Sequence, residues 1–388
     1  MKPYFAFQWH ITDYCDQRCK HCYIFAEGKC SELLSMSLDN MKKVLLNIED
    51  MCERLNRTPY FYITGGDPIL HPDFWDLMEL IKAKGYKFTI MGNPFHLTDE
   101  VCRRLKECGC EKYQMSIDGM RETHDYFRKP GSFDCTIEKI AVIRNAGIKC
   151  AIMSTVSGMN IEEMPDVVDL VVKHKVDIFA FGRYCPTSEE KDTGIAPSAR
   201  GREAELAIGC SPIYYRDFLD KIWHKYEAYR KQGVNTYFNL KDHLWTLYLY
   251  EEGIFKIPES AKKDMIYEGC HCGICHMTIL PNGDVYACRR FESKVGNVFE
   301  EPLYDIFITK EEVYRDYDKF EKCSKCELRG FCRGCPAVTY GTTGNFYGAD
   351  PQCWKGVNEN TNHSANENAV CTEETSAKRT CCKQHSSR

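Results

Sequence analysis

Extended apolar runs alternate with helical patterns from residue 4 to about residue 183, and this alternation constrains the fold more than any other feature. Each run is rich in Ile, Phe, Tyr or Val and is followed by a turn or a helical pattern. The runs occupy residues 5–12, 59–64, 86–91, 112–117, 148–155 and 177–182. Six strand–helix repeats with right-handed crossovers predict an α/β fold, a partial (β/α)6 barrel. In such a fold the ligand site lies at the carboxyl ends of the strands.

Cysteine is the outlier of the composition, with 24 among 388 residues. Disulfide-dense chains are usually small and secreted, whereas this chain is large and begins without a secretory signal. Clustered thiols in such a chain indicate metal binding. The scattered residues need no such role, because a buried thiol packs like a small apolar group; they are Cys52, Cys102, Cys150 and Cys210.

The charge and hydropathy patterns exclude two classes of partner. The net charge is −5, with acidic and basic residues mixed along the chain, which argues against a nucleic-acid-binding surface. No run of about 18 apolar residues is present, so no membrane span is expected. The sequence therefore predicts a cytoplasmic protein.

Three cysteines follow the first predicted strand in a C-x3-C-x2-C run, at Cys15, Cys19 and Cys22. Three thiolates on one loop can hold three irons of a [4Fe–4S] cube. The fourth iron then stays open to substrate, as a catalytic zinc keeps one open position. A zinc site with His21 or His10 as the fourth ligand is the alternative.

This spacing, at this place in a partial barrel, resembles the signature of the radical S-adenosylmethionine (SAM) superfamily. The resemblance implies that Cys15, Cys19 and Cys22 are catalytic and bind a cluster whose open iron is chelated by the methionine amine and carboxylate of SAM. It places His21 at the family's aromatic position and Tyr23 just after the third cysteine. It also implies that one electron from the cluster cleaves SAM to a 5′-deoxyadenosyl radical, which takes a hydrogen atom from the substrate.

Further residues match the family's SAM-binding segments. Gly65-Gly66-Asp67 follows the second strand, where two glycines allow close backbone approach to a ligand and the acid would receive the methionine amine; Asp stands where the family commonly has Glu. The other candidates for cofactor contacts are Ser116 and Asp118 for ribose and methionine, Arg128 or Arg183 for the carboxylate, and Thr155 and Asn160 for ribose or adenine. For several of these an ordinary structural role is the alternative.

A second cysteine pattern fills residues 270–353 and resembles the SPASM extension of radical SAM enzymes, which binds two auxiliary [4Fe–4S] clusters. The resemblance assigns one cluster to Cys323, Cys326, Cys332 and Cys353. It assigns the other to Cys270, Cys288 and Cys335, with Cys272 or Cys275 as the fourth ligand. Two departures from the SPASM pattern affect this assignment. Two residues, instead of three, separate Cys332 from Cys335, and the pattern begins with three closely spaced cysteines, at positions 270, 272 and 275. The alternative for the two C-x2-C pairs, Cys323/Cys326 and Cys332/Cys335, is a zinc ribbon.

The predicted organisation has four parts. Residues 1–210 form the partial barrel, 211–259 a helical bridge and 260–355 the loop-dominated SPASM domain. Residues 356–388 are polar, with few large apolar side chains, and are expected to be a disordered tail. Its Cys371, Cys381 and Cys382 are expected to be incidental thiols, with metal capture as the alternative.

The resemblance implies an oxidoreductase that matures a ribosomally made peptide (RiPP), by a thioether or carbon–carbon crosslink. Two enzymatic alternatives are an anaerobic sulfatase maturase, disfavoured because Arg289 stands where that family has an aspartate base, and an enzyme of small-molecule cofactor or haem biosynthesis. A zinc-binding scaffold is the non-enzymatic alternative. The expected partners are a peptide or protein substrate and an electron donor such as flavodoxin or ferredoxin. Because the first strand begins at residue 4, which leaves no room for an N-terminal leader-binding domain, a peptide maturase here would require a separate leader-binding protein or none.

Overall fold

One mixed sheet of ten strands organises the protein, whose computed structural model describes residues 2–25, 32–186 and 211–357. Along the sheet the strand order is β10-β9-β8-β1-β2-β3-β4-β5-β6-β7, parallel from β8 to β7 and antiparallel for β9 and β10. The strands are β1 (Tyr4–Thr12), β2 (Thr58–Gly65), β3 (Phe88–Met91), β4 (Cys110–Ser116), β5 (Lys149–Val156), β6 (Ile178–Arg183), β7 (Tyr237–Asn239), β8 (His276–Ile279), β9 (Asp284–Tyr286) and β10 (Lys294–Asn297).

Helices connect the parallel strands. They are α1 (Leu38–Arg54), α2 (Phe74–Ala83), α3 (Asp99–Glu107), α4 (Arg121–Phe127), α5 (Ser132–Asn145), α6 (Met164–Lys173), α7 (Pro212–Lys231), α8 (Leu244–Glu251), α9 (Leu303–Asp305) and α10 (Pro336–Thr343). Single helical turns occur at Pro68–Leu70, Ile161–Glu163, Ile306–Lys310, Glu311–Tyr314, Tyr317–Lys319 and Cys323–Lys325. None of the helices in the described ranges is long and apolar enough to cross a membrane.

Strand β1 shows how the sequence divides the two faces of the sheet. Phe5, Phe7 and Trp9 are fully buried, and the intervening Gln8 lines a cavity on the opposite face. Successive side chains of a strand alternate between faces, so the aromatic residues fill the core while the polar residue points to the cavity. The sheet therefore has one packed face and one face available to ligands.

Helix α1 covers the core face as the sequence predicts. The side chain of Ser37 caps the helix by accepting a hydrogen bond from the backbone N–H of Asn40 at 3.3 Å. Met41, Val44 and Ile48 are fully buried on one side of the helix, which is the 3.6-residue periodicity of an amphipathic helix.

The predicted α/β fold is confirmed, and the six predicted strands appear as β1–β6. The structure adds short strands to the second half of the chain. Residues 211–259, predicted as a helical bridge, contain β7, which pairs in parallel with β6. Residues 260–355, predicted as loop-dominated, contain β8–β10, and β8 pairs in parallel with β1 from Ala6 opposite His276 to Trp9 opposite Ile279.

Residues up to Cys353 form one compact unit, and residues from Trp354 to Arg388 form another. The structure describes the second unit only as far as residue 357. The predicted disordered tail, with Cys371, Cys381 and Cys382, therefore lies outside the described residues apart from positions 356 and 357. Cys210 also lies outside them.

Candidate active site

A cavity of about 330 Å³ opens at the carboxyl ends of the barrel strands. The loop after β1 brings Cys15, Cys19 and Cys22 to its wall, and β4 and β5 contribute Ser116 and Thr155. The cavity thus lies where parallel sheets bind ligands, since loops from several strands meet there. The sequence-predicted residues His21, Tyr23, Gly65, Gly66, Arg128 and Arg183 also line it.

The three N-terminal thiols are held by a loop with its own hydrogen-bond donors. The backbone N–H of Gln17 and the Nδ2 amide of Asn93 donate to Cys15 Sγ at 3.4 and 3.7 Å, and Arg128 Nη1 donates to Cys19 Sγ at 3.8 Å. Such donors stabilise thiolate charge and tune the metal that thiolates bind. Burial raises the pKa of Cys15 to about 12, so the free thiol is protonated and metal binding must release its proton.

The spacing of these thiols argues against a single zinc ion. A tetrahedral zinc site with bonds of about 2.3 Å to sulfur needs ligand atoms less than about 4 Å apart. Within the described ranges, the one group of three potential ligand side chains whose atoms lie within 4.8 Å of one another is Asp16, Asp67 and His96, without any cysteine. An iron–sulfur cube does not require the three sulfurs to meet at one point, because each thiolate binds a different iron.

Asp67 is an acid directly behind the cavity wall, following the lining residues Gly65 and Gly66. It is fully buried. Burial, and then repulsion from Asp16, raise the pKa of Asp67 to about 7, although the backbone N–H groups of Asn93 and Ile69 act to lower it. A buried carboxylate is costly unless it is fully paired, and the ammonium group of SAM would stabilise its ionised form.

The adjacent glycines have a different role from the expected one. A side chain at Gly65 would overlap the carbonyl oxygen of Thr12, and one at Gly66 would overlap that of Tyr14. Gly65 also has a φ of +135°, which side chains disfavour. These glycines therefore let the end of β2 pack against the start of the cysteine loop, instead of making room for a ligand.

Asp118 forms a buried ionic network behind the cysteines. Its Oδ2 accepts a hydrogen bond from Arg128 Nε at 2.6 Å and lies 3.4 Å from His21 Nε2, and its Oδ1 accepts one from the Thr155 N–H at 2.8 Å. Burial acts to raise the pKa of Asp118, but Arg128, His21 and His124 outweigh it and lower that pKa to about 2. The carboxylate is fully engaged, so it positions Arg128 and His21 and is not itself available to a ribose.

The side chains of His21 and Tyr23 are held on opposite sides of the third cysteine. The His21 ring packs edge-on against Phe127, with centroids 5.5 Å apart, and burial lowers its pKa to about 4. Arg289 stacks on the Tyr23 ring at 4.7 Å. His21 is therefore neutral at pH 7, and Tyr23 is fixed against the C-terminal part of the chain.

Arg183 does not serve as the expected carboxylate ligand. Its Nε donates to Asp242 at 2.8 Å, and its Nη1 and Nη2 donate to Asp350 at 2.6 and 2.9 Å. Nη1 also donates to Gln352 at 2.9 Å. The side chains of Arg183, Asp242 and Asp350 are at least 95% buried. The Arg183 guanidinium therefore links β6 to the C-terminal region and is not free to bind a carboxylate of SAM. Arg128 is the remaining sequence-predicted candidate for that role.

The C-terminal thiols fall into two groups. Electrostatic coupling joins Cys323, Cys326, Cys332 and Cys353. A second group holds Cys270, Cys272, Cys288 and Cys335. Cys275, the other expected fourth ligand, interacts chiefly with Arg57 and more weakly with Cys270.

Several residues that line the cavity were missed by the sequence reasoning, among them four polar side chains. Cys185 follows β6, Lys241 follows β7, and Gln8 and Gln114 lie on β1 and β4. The signal for Cys185 was its place directly after a strand, where site residues gather in parallel sheets. The signal for the glutamines was a polar residue at alternate positions of a buried strand, since buried parallel strands are usually apolar throughout.

The pKa of Asp67 predicts how SAM affinity depends on pH. Because ionised Asp67 is the better acceptor for the ammonium group, the affinity should rise from about pH 6 to about pH 8, around the pKa of about 7. Asp67→Asn should abolish this dependence and raise Kd roughly tenfold or more, the cost of a hydrogen bond to a charged group. The measurement is titration of the reduced cluster's EPR signal with SAM at several pH values.

The matched control is Asp16→Asn. Removing the neighbouring charge should lower the pKa of Asp67, so the rise in affinity should move to lower pH while the limiting affinity stays unchanged. A wild-type affinity that does not vary over this pH range would exclude Asp67 as the acceptor.

Comparisons with known proteins agree with this geometry. Residues 9–171 match the model of the radical SAM superfamily, and residues 270–336 match that of the SPASM iron–sulfur cluster-binding domain. The chain is 26% identical over 353 residues to the AdoMet-dependent heme synthase of Methanosarcina barkeri, covering 89% of this chain and 95% of that protein. It is 25% identical over 361 residues to the mycofactocin maturase MftC of Mycolicibacterium smegmatis, covering 90% and 82%.

The fold is also that of a solved protein structure. The crystal structure of Streptococcus suis SuiB bound to S-adenosylmethionine superposes with a TM-score of 0.67 at 20% identity, covering 91% of this chain and 77% of SuiB. The thiol loop, the buried Asp67 carboxyl and the grouped C-terminal thiols fit SAM, a cluster with an open iron and two auxiliary clusters. This chain is therefore an enzyme with a radical SAM superfamily domain over residues 9–171 and a SPASM iron–sulfur cluster-binding domain over residues 270–336.

Proposed function

We propose that this enzyme removes a hydrogen atom from a peptide, as the step that starts a thioether or carbon–carbon crosslink. The observation that carries this proposal is the hydrogen-bonding lining of the cavity. Gln8, Gln114, Ser116 and Thr155 project into it from three different strands. Each can donate and accept hydrogen bonds, as the backbone of a bound peptide requires.

The amide of Gln114 is available to such a substrate. It makes no hydrogen bond through its side chain to any of the described residues. Within the same residues, the side-chain amide of Gln8 hydrogen-bonds only with His10 and Tyr23, at 3.1 and 3.5 Å. Polar groups exposed in a cavity bind water until a ligand replaces it. A peptide lying across β1 and β4 would pair with both amides.

The cofactors would be held at the other side of the same cavity. Cys15, Cys19 and Cys22 would bind the cluster, Asp67 would accept the ammonium group of SAM, and Arg128 would lie near its carboxylate. Together the cluster and SAM supply the one-electron cleavage that removes hydrogen from an unactivated C–H bond. The protein holds His21 neutral and Asp118 ionised, keeps Arg128 oriented, and shields the reacting groups from bulk water.

A tetrapyrrole is the second candidate substrate, which the M. barkeri heme synthase favours. The supporting feature of the site is positive charge: Lys241 and Arg290 line the cavity, and Lys241 makes no salt bridge with any described carboxylate. Burial, followed by repulsion from Arg290, lowers the pKa of Lys241 to about 8. These cations suit the acidic rim of a tetrapyrrole, but its flat faces carry no groups to satisfy the glutamines.

Two partners belong to the peptide proposal. The enzyme needs an external electron donor of flavodoxin or ferredoxin type, since none of its own residues supplies electrons. A separate leader-binding protein would deliver the precursor. MftC, a relative at 25% identity, is named as a maturase of mycofactocin, which supports a substrate of the peptide class.

The substrate class can be tested with two probes on the same anaerobically reconstituted enzyme. One is the short peptide encoded beside the gene, and the other is iron-coproporphyrin III, each incubated with dithionite and SAM. We expect the peptide to lose two hydrogen atoms by mass spectrometry and the tetrapyrrole to remain unchanged. One hydrogen atom would go to the 5′-deoxyadenosyl radical; the other would leave as a proton when the crosslink closes, and its electron would pass to an auxiliary cluster. Conversion of iron-coproporphyrin III to haem, with the peptide intact, would overturn the proposal.

Two variants separate the features that support each substrate. Gln114→Leu removes the amide at nearly constant size and should raise KM for the peptide about tenfold, the loss expected for one or two hydrogen bonds. Lys241→Met should leave that KM unchanged. If Lys241→Met raised KM and Gln114→Leu left it unchanged, the cations, and not the amides, would bind the substrate.

A further inference from the structure

We infer that Cys185, from the barrel, is the fourth ligand of the auxiliary cluster shared with Cys270, Cys288 and Cys335. The structure brings this thiol to the cluster site from outside the cysteine-rich region. It lies two residues after the end of β6. The inference does not depend on the identity of the substrate.

The first support is a short path of contacts between the barrel thiol and a cluster thiol. Cys185 Sγ lies 3.9 Å from the carbonyl oxygen of Arg183, which accepts a hydrogen bond from Arg290 Nη2, and Arg290 Nη1 donates to Cys335 Sγ at 3.7 Å. Cys185 also interacts electrostatically with Cys335 and Cys288. Cys335 and Cys288 are in turn coupled to each other, and Cys288 to Cys270. Cys185 therefore belongs to the same set of sulfurs that the SPASM spacing assigns to one cluster.

The second support is a cation shared by three of these sulfurs. Arg290 Nη1 donates to Cys335 Sγ at 3.7 Å, and the same guanidinium interacts electrostatically with Cys185 and Cys288. Its Nη2 is anchored by the carbonyl oxygen of Arg183 at 2.5 Å. A fixed positive charge stabilises thiolates and an anionic cluster. The Arg290 guanidinium would therefore stabilise Cys185 as a thiolate bound to iron.

Cys272 occupies a different place. The groups that act on it most strongly are Cys270, Cys288 and the carboxyl of Glu311. Glu311 is fully buried, and burial raises the pKa of its carboxyl well above its usual range, although Arg315 and the backbone N–H of Gly273 act to lower it. Cys272 therefore lies beside a buried carboxyl, whereas Cys185 lies on the side of the site that holds the Arg290 guanidinium.

The position of Cys185 relative to Cys335 is fixed by the ionic network of β6. Asp350 accepts hydrogen bonds from both Arg183 and the backbone N–H of Cys335, the latter at 2.7 Å. Two residues of chain separate Arg183 from Cys185. The Asp350 carboxylate therefore fixes the positions of both the Cys185 and the Cys335 segments. Cluster ligands require such pre-organisation.

The inference can be tested in the full-length chain carrying Cys15→Ala, Cys19→Ala and Cys22→Ala, so that only auxiliary clusters remain. Into this background Cys185→Ala, Cys272→Ala and Cys275→Ala are introduced separately. Cys135→Ala, which changes a half-buried thiol on α5 outside both groups, is the matched control. Iron and sulfide are measured after anaerobic purification, together with EPR and Mössbauer spectra.

We expect Cys185→Ala to lose about one iron per chain and to show the EPR signal of a three-iron cluster, because a cube that lacks one thiolate sheds that iron. Cys272→Ala, Cys275→Ala and the control should keep the parent spectrum. Circular dichroism identifies a variant that has not folded, and Cys185→Ser, which retains an oxygen ligand, should then restore the fourth iron. The inference is overturned if Cys185→Ala keeps the parent iron content while Cys272→Ala or Cys275→Ala loses iron.

Discussion

Cys19→Ala is expected to abolish formation of 5′-deoxyadenosine from SAM. The thiol is one of three that hold the N-terminal cluster, and Arg128 Nη1 lies 3.8 Å from its sulfur. With two thiolates left, the cube loses the arrangement that leaves a single iron open to SAM. Anaerobically reconstituted protein should fall from about 12 to about 8 iron atoms per chain, and product should be undetectable by chromatography with dithionite as reductant.

The control for this experiment is again Cys135→Ala, which removes a thiol that does not line the cavity and should keep both iron content and cleavage. Substantial 5′-deoxyadenosine from Cys19→Ala would contradict the assignment of the open-iron cluster to this loop. Loss of cleavage in the control would show that the assay reports general damage to the protein.

Arg183→Met is expected to lower the free energy of unfolding by about 3–5 kcal/mol, the usual cost of leaving buried charges without their partner. The substitution keeps the length of the side chain but strands the carboxylates of Asp242 and Asp350, which are buried with it. It should also loosen the Cys335 loop, because Asp350 holds the Cys335 N–H. Denaturant unfolding followed by circular dichroism measures the change.

A solvent-exposed arginine provides the matched control. Arg144 pairs with Asp177 at 3.2 Å, and the two side chains are 36% and 30% exposed, so Arg144→Met should cost no more than about 1 kcal/mol. Equal effects of the two substitutions would mean that Arg183 contributes nothing beyond an ordinary surface ion pair. Such a result would also remove the argument that the network fixes Cys185.

The sequence predicted the strands that lie in longer apolar runs, and missed short strands outside such runs. The clearest run is that of β1, in which aromatic side chains alternate with cavity-facing residues. β7 has three residues and β8 four, too few for a periodic signal, whereas β3, also of four residues, was predicted from the longer run of residues 86–91. The place of β7 and β8 in the sheet depends on pairing with β6 and β1, and pairing between distant segments has no local signature.

The candidate site was predictable where spacing alone specifies chemistry. The loop with Cys15, Cys19 and Cys22 and the grouped C-terminal cysteines are such cases, since ligand geometry restricts the intervals between thiols. Arg183 was assigned to a carboxylate ligand because the sequence does not reveal that Asp242 and Asp350, distant along the chain, neutralise it. Cys185 was overlooked for the same reason, as its relation to Cys335 exists only after folding.

The parallel pairing of β8 with β1 has a consequence for biosynthesis. The ribosome completes β1 by residue 12, but its second neighbour in the sheet ends only at Ile279. Until then one rim of β1 carries unpaired N–H and C=O groups, which can pair with another nascent chain. Contacts so distant in sequence also form slowly. Translation stalled before β8 should therefore yield aggregation-prone fragments, and chaperones should engage this protein during most of its synthesis.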